Sequence, residues 1–306
     1  LQDICFINNE TGFVIGNSGI ILKTSDLGVN WVKKEVETKI NLKVIHVLDV
    51  NNAWVCGENG LIIHTSDGGE SWKTQNSGTT GLISDIHFSN LLDGCATGYD
   101  GFFLHTSNGG NTWGSVYSIG KKIRAMDFIN DNTGYAVSTS YYPPPLARND
   151  FWKTTNGGET WNSLGSGAYS FVIKDIVFIS EFIGFGVDYD GSIFKTENSI
   201  QWEQVFYGLY PYNFNSISFY NNNNGIAVSS SGEMYRTSNT GDDWTPMFED
   251  VFYGHLTSAD FANTNNGWVV GNTSSGLPSI SVVLKTIDGG NVWHKKLQLT
   301  DTPLYT

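Results

Sequence analysis

Residues 65–72 read TSDGGESW, a polar octapeptide that ends in a large ring needing burial. Edited copies return along the chain. Their terminal residues are Trp31, Trp72, Trp113, Trp161, Trp202, Trp244 and Trp293, at intervals of 41, 41, 48, 41, 42 and 49 residues. A Thr lies seven residues before the Trp, or six in the fifth copy: Thr24, Thr65, Thr106, Thr154, Thr196, Thr237 and Thr286. Two residues after each Thr stands Asp26, Asp67, Asn108, Asn156, Asn198, Asn239 or Asp288; Gly follows two later in every copy except the fifth, TENSIQW. A repeat near 40 residues holding several short strands is the signature of a propeller blade.

The rest of the unit repeats too. In the first copy an alternating run, DICFI, predicts strand A, TGFVIG strand B, GIILKT strand C, and the stretch from Trp31 strand D. Gly12, Gly94, Gly134, Gly184, Gly225 and Gly267 open strand B, with Ala53 in their place in the second copy. NSG, ENG, YDG and SSG supply tight B–C turns. These patterns predict an all-β fold, a seven-bladed β-propeller of four-stranded antiparallel blades. Its blades run roughly over 1–40, 41–81, 82–121, 122–169, 170–211, 212–252 and 253–306 in a single domain. Packing of the first blade on the last, without a shared blade, is the expected closure.

Each part of the octapeptide has a local task in the C–D turn. The Asp or Asn side chain folds back onto nearby N–H groups, and the Thr hydroxyl does the same. Gly takes a positive-φ position. The Trp ring tucks beneath, with its N–H in reach of a carbonyl. The expectation is a structural fastener, not a site.

The octapeptide matches the Asp-box, S/T-x-D-x-G-x-x-W. In TSDGGESW, TSNGGNTW, TTNGGETW and TIDGGNVW the chain resembles the photosystem II stability/assembly factor family and its bacterial relatives. That family also carries D-I-x-F and G-x-A-V-G, seen here as Asp3-Ile4-Cys5-Phe6, Asp175-Ile176-Val177-Phe178 and Gly134-Tyr135-Ala136-Val137. The resemblance spans essentially the whole chain. It implies the propeller fold, boxes on the face away from any ligand, and an Arg-rich surface that holds a partner. Asp-boxes also occur in sialidases, xyloglucanases, sorting receptors and scaffolds, so function is read from the remaining residues.

A net charge of −13 and only three Arg argue against nucleic acid as a partner. Arg124 opens strand A of blade 4, Arg148 lies in an insertion and Arg236 precedes a repeat Thr, so sequence position predicts no Arg-rich patch. This scatter also speaks against a sialidase. No apolar run is long enough to cross a bilayer as a helix. Leu1 opens directly into a strand-like run, so any targeting segment is expected to have been removed or never present. Cys5, Cys56 and Cys95 read as small buried thiols. The company that such repeats keep suggests an extracytoplasmic protein (periplasmic, cell-surface or secreted), expected to be a monomer.

No catalytic constellation stands out. The six His show no metal-ligand spacing, and NDNTG (130–134) reads as an A–B turn, so no metal and no cofactor are expected. The basic residue just before each Thr, such as Lys23, His64 or Lys285, reads as a solvated outer face. For a glycoside hydrolase, the acid/base candidates in the B–C turns are Asp100, Asp188 and Asp190, with Glu58 a further carboxylate.

Deviation from the repeat is the better guide to function. Blades 4 and 7 carry insertions, SYYPPPLARND (140–150) and NTSSGLPSIS (272–281), between strands B and C. The D–A connections of the later blades are rich in aromatics. Together they predict a ligand- or partner-binding face with Tyr141, Tyr142, Tyr169, Tyr207, Tyr210, Tyr212, Tyr253 and His255 above blades 4 to 7; Phe171 and Phe214 favour packing inward. The leading expectation is a non-catalytic scaffold that binds a protein through this face. The alternative is a carbohydrate-binding or glycoside-hydrolase propeller.

Overall fold

Each repeat folds as four consecutive strands in one antiparallel sheet, giving a seven-bladed β-propeller. The computed structural model describes residues 1–141, 147–166, 171–208, 213–247, 254–273 and 280–300. The A strands are Asp3–Phe6, Leu42–Val47, Ile83–Phe88, Lys122–Phe128, Ile173–Phe178, Phe214–Phe219 and Gly254–Phe261. Each contacts the next, and the seventh contacts the first, so they ring a central channel. Closure is by packing of blade 7 on blade 1, with no strand shared between blades.

The Gly that opens strand B is explained by the ring that ends strand A. A Cβ on Gly12, Gly134, Gly184 or Gly225 would lie 2.7 Å from the ring of Phe6, Phe128, Phe178 or Phe219. In blade 2 the A strand ends in Val47 instead, and there Ala53 fits, fully buried. The two exceptions to the repeat therefore compensate each other. The octapeptide Trp then packs edge-on against the same ring: Trp31 on Phe6, Trp113 on Phe88, Trp161 on Phe128, Trp202 on Phe178 and Trp293 on Phe261, with centroids 5.7–6.0 Å apart.

The octapeptide turns hold themselves together. In blade 2 the Thr65 hydroxyl donates to Asp67 Oδ1 (2.8 Å) and accepts from Gly69 N–H (2.7 Å), while Ser71 N–H donates to Asp67 Oδ1 (2.9 Å). Gly69 has φ +86°, where a side chain would strain the backbone. In blade 5, which lacks the Gly, Asn198 Oδ1 accepts from Ile200 and Gln201 N–H instead (3.0 and 2.8 Å). The expected indole bond to a carbonyl does not form at six of the octapeptide Trp residues. The Nε1 atoms of Trp31, Trp72, Trp161, Trp202 and Trp244 are buried without a hydrogen-bond partner, and Trp113 Nε1 donates to the Gln75 side chain (3.2 Å). The ring is placed by packing.

The basic residue before each Thr is not a simply solvated face. Lys23 Nζ donates to Gly68 O of the next blade (2.7 Å), Lys195 Nζ pairs with Asp242 (2.7 Å), Lys285 Nζ reaches Leu27 O (2.5 Å), and Arg236 bonds Asn291. Lys195 and Lys285 are largely buried in doing so. These side chains tie one blade to the octapeptide turn of the next.

A second set of ties surrounds the channel. Asp3 accepts from Ile4 N–H of its own strand and Ile45 N–H of the next blade (both 2.9 Å). Asp85 bridges in the same way to Met126 N–H (2.8 Å), Asp127 to Phe178 N–H (2.6 Å), Asp175 to Ile217 N–H (3.0 Å) and Asp260 to Phe6 N–H (2.6 Å). Where no Asp is available, His46 Nε2 lies 2.9 Å from Phe88 O and Asn215 Nδ2 donates to Leu256 O (2.6 Å). Each blade junction, including that of blade 7 with blade 1, thus carries a polar bridge to the neighbour's backbone.

Candidate functional site: the channel mouth

The A strands contain a repeated irregularity. Pairing of strand A with strand B skips one residue in blades 2 to 7: Lys43, Ser84, Arg124, Lys174, Asn215 and Thr257. A β-bulge leaves the extra residue outside the ladder and re-aims its side chain. Gln2 holds the corresponding place in blade 1, one residue before Asp3. Aligned on the final residue of strand A, these seven positions contain three cations and no carboxylate.

Most of these side chains converge. A cavity of about 270 Å³ is lined by Gln2, Lys43, Arg124, Lys174, Asn215 and Thr257 from the A strands, joined by Tyr99 and Tyr189 from the B–C turns of blades 3 and 5. Because the B–C turns and D–A connections share one end of the blades, this is the channel mouth on the face opposite the octapeptides. The channel continues as a cavity of about 320 Å³ whose lining includes Asp3, Asp85, Asp127 and Asp175. Lys43, Arg124 and Lys174 line both cavities, and the carboxylates join them only in the second.

Two of the three cations are held in place. Arg124 donates from Nε to Thr139 Oγ1 and from Nη1 to Tyr189 Oη (both 3.1 Å), with its guanidinium 5.4 Å from the Tyr189 ring and 5.9 Å from the Tyr99 ring. Lys174 Nζ donates to Asn213 Oδ1 (2.8 Å) and to Asn215 Oδ1, and lies 4.4 Å from the Tyr189 ring centroid. Burial, with Lys43 and Arg124 beside it, draws the Lys174 ammonium down to about 8, although Asp175 and Asp188 oppose this. In the second cavity, burial pushes Asp127 and Asp175, like Asp260 nearby, up to about 6, and Asp85 well above the usual carboxylate range. Backbone N–H donors favour the ionised forms, but desolvation outweighs them.

The sequence candidates fall differently. Tyr142, Tyr169, Tyr210, Tyr212 and Tyr253 lie outside the described residues, and for Tyr141 only the backbone is described, as the end of strand B in blade 4. Tyr207 is 62% exposed at the end of strand D in blade 5, and His255 is exposed at the start of strand A in blade 7. Phe214 is fully buried and Phe171 stacks on Phe194 at 4.0 Å, so both pack inward. Asp188 is buried, its Oδ1 accepting from Asp190 and Ser192 N–H (2.9 and 2.8 Å) as the brace of its own turn. Burial pushes it up to about 6. Asp100, Asp190 and Glu58 are exposed. None of these carboxylates lines the mouth; the structure brings their neighbours Tyr99 and Tyr189 there instead.

Sequence reasoning missed Lys43, Arg124, Lys174, Tyr99 and Tyr189. The scatter of Arg along the chain conceals that Arg124 shares a structural position with two Lys. Stacking the seven A strands and reading down the column four residues before the last would have found it. Among the described residues no three His, Cys, Asp or Glu side chains are grouped to hold a metal ion. No described helix is long and apolar enough to cross a membrane.

Fold and mouth together define a seven-bladed propeller with self-bonded C–D turns on one face and a cationic channel mouth on the other. It resembles the photosystem assembly-factor propellers. A family profile described as photosynthesis system II assembly factor YCF48 matches residues 1–80. Among solved structures, YCF48 bound to a D1 peptide is 18% identical, with 88% of this chain and 89% of that one covered at a TM-score of 0.73. YCF48 from Cyanidioschyzon merolae is 19% identical, with 94% and 95% covered at 0.70. The GH74 xyloglucanase from Xanthomonas campestris is 12% identical, with 94% of this chain but 59% of that one covered at 0.61. At these identities the likeness is one of fold. A search of curated proteins gives no match.

Proposed function

We propose that this protein is a non-catalytic scaffold that holds a segment of a protein partner on the face of the channel mouth. The observation that carries the reading is the mouth itself: Lys43, Arg124 and Lys174 converge there, two of them locked by hydrogen bonds and Tyr rings, on a chain whose net charge is −13. Cations fixed before binding need little reordering, which favours an acidic, extended segment. The aromatic D–A connections of blades 4 to 7, with Tyr207, Tyr210, Tyr212 and Tyr253, would grip the flanking apolar residues. The likeness to a YCF48 propeller that binds a D1 peptide supports the same reading and supplies the first probe. An extracytoplasmic location, as for other proteins built on such repeats, is part of the proposal.

The test is fluorescence anisotropy with a labelled D1 peptide, comparing wild type with Arg124→Glu and with Tyr207→Ala. Charge reversal at the mouth should weaken binding by at least about tenfold, and the Tyr change by a smaller factor. Failure of the peptide to bind, or equal affinity for wild type and Arg124→Glu, would rule the reading out.

A further inference from the structure

We propose that the octapeptide face carries a docking surface of its own, centred on Phe182 and Ile200 of blade 5, for a basic amphipathic segment of a protein partner. Its chemistry is opposite to that proposed for the channel mouth, and it does not rest on that reading.

The A–B and C–D turns that form this face hold thirteen of the chain's thirty Asp and Glu and none of its seventeen Lys and Arg. They also hold nine of the thirteen large apolar side chains exposed among the described residues. Apolar side chains exposed singly are ordinary, but gathered on one face among charges of one sign they mark an interaction surface. The octapeptide carboxylates keep their charge into acid. Bonds from Asn30, Ser71 and Val292 hold Asp26, Asp67 and Asp288 below the usual carboxylate range.

Blade 5 is where apolar and acidic groups meet. Its octapeptide is the copy without the Gly; Ser199 takes φ +61° and Ile200 is left 50% exposed. Ser199 N–H donates to Phe182 O (3.2 Å), which sets the octapeptide turn against the A–B turn, where Phe182 is 60% exposed. The turn uses Ile200 only through its backbone N–H, so its closure does not account for the apolar side chain. Carboxylates flank the pair on both sides. Toward blade 4, Glu181 pairs with Lys153 (2.7 Å); toward blade 6, Lys195 lies between Glu197 (3.0 Å) and Asp242 (2.7 Å), with Asp243 next in the chain. The side chains of Lys153 and Lys195 are 18% and 10% exposed, against 53%, 74% and 64% for Glu181, Glu197 and Asp242, so these pairs turn their acidic side outward. A guest that covers Phe182 and Ile200 must set cations around its own apolar residues. A second copy of this chain, with its net charge of −13, would meet like charge there.

The experiment is fluorescence anisotropy of the folded chain with a labelled peptide of alternating Lys and Leu, beside peptides in which Glu replaces Lys or Ser replaces Leu. The Lys–Leu peptide should bind in the micromolar range and weaken as salt rises, and each of the other two should bind at least about tenfold more weakly. Phe182→Ser with Ile200→Ser should weaken the Lys–Leu peptide about tenfold, and Glu197→Gln with Asp243→Asn about threefold. Val32→Ser, at a side chain 58% exposed on strand D of blade 1, should bind as wild type. All the substituted side chains are exposed, and an unchanged unfolding midpoint shows each variant folded. Parity of the Glu–Leu or Lys–Ser peptide with the Lys–Leu peptide, or wild-type affinity in either blade 5 variant, would overturn the proposal. So would self-association of the chain, or binding to phosphatidylcholine vesicles, that is lost in Phe182→Ser with Ile200→Ser.

Discussion

On the octapeptide face the same three hydrogen bonds recur in six of the seven blades, from the Thr hydroxyl to the Asp or Asn and from two backbone N–H groups back to those side chains. Around the channel mouth the backbone is just as regular, since blades 2 to 7 all skip a residue at one place, but the side chains there differ from blade to blade. On the first face each turn is closed by its own hydrogen bonds, and a basic side chain of the preceding blade ties onto several of the turns. On the second, the bulge holds out a side chain whose task differs between blades: Ser84 and Asn215 bond the next blade's backbone, while Lys43, Arg124 and Lys174 bring charge to the mouth. Repetition of backbone with variation of side chain is how a symmetric scaffold carries an asymmetric site.

The ties between blades give the sharpest ways to break this comparison. Asp260 joins blade 7 to blade 1, and Asp260→Ala would leave Phe6 and Phe261 N–H without their acceptor beside the channel. A loss of about 2–4 kcal/mol in chemical denaturation is expected, the largest among these substitutions. Unchanged stability would show that the carboxylate bridges are incidental to closure.

Gly134→Ala should cost about 1–3 kcal/mol, because its Cβ meets the Phe128 ring. The penalty should shrink sharply in a Phe128→Val background, which reproduces the Val47 and Ala53 pair of blade 2. A double-mutant cycle checks this, and additivity of the two changes would remove the packing explanation.

Protonation offers a subtler contrast. Burial raises Asp175 from 3.8 to about 6, so its protonation adds stability that is complete below the unfolded value and lost as pH rises through the folded one. Asn does not titrate. The stability of wild type relative to Asp175→Asn should therefore rise as pH falls from about 7 to about 4. His46 and His87, which burial draws down to about 4 and about 3, work the other way but are present in both proteins. A fall in wild-type stability relative to the variant on acidification would contradict the assignment.

Thr154→Val removes the acceptor of Gly158 N–H and should cost about 1 kcal/mol by thermal unfolding. The same change at Thr196 should cost less, because blade 5 has Ile200 where the Gly would stand and its turn closes through Asn198. Equal costs would mean that the Thr–Gly bond contributes nothing.

The fold was legible in the sequence because its determinants are local. The octapeptide spacing, the Gly opening strand B and the exchange of Ala53 for Gly each act within one blade. The site was not legible in the same way. Whether Lys43, Arg124 and Lys174 meet depends on a one-residue slip in strand pairing, repeated in blades far apart in the chain, and composition does not report it. The basic residues before each Thr were misread for a related reason, since their partners, such as Gly68 for Lys23, belong to the next blade. The aromatic reading rested mostly on residues outside those described, and the rings that the described residues bring to the mouth are Tyr99 and Tyr189, from turns whose carboxylates had drawn attention instead.

The account rests on a division of labour between the two faces, and one paired binding measurement tests it directly. The labelled D1 peptide is titrated against a mouth variant, Lys43→Gln with Arg124→Gln and Lys174→Gln, and against an octapeptide variant, Thr65→Val with Thr106→Val and Thr154→Val, each verified as folded by circular dichroism. The account predicts at least about a tenfold loss of affinity for the mouth variant and wild-type affinity for the octapeptide variant. Loss of binding in the octapeptide variant, with the mouth variant unaffected, would contradict it.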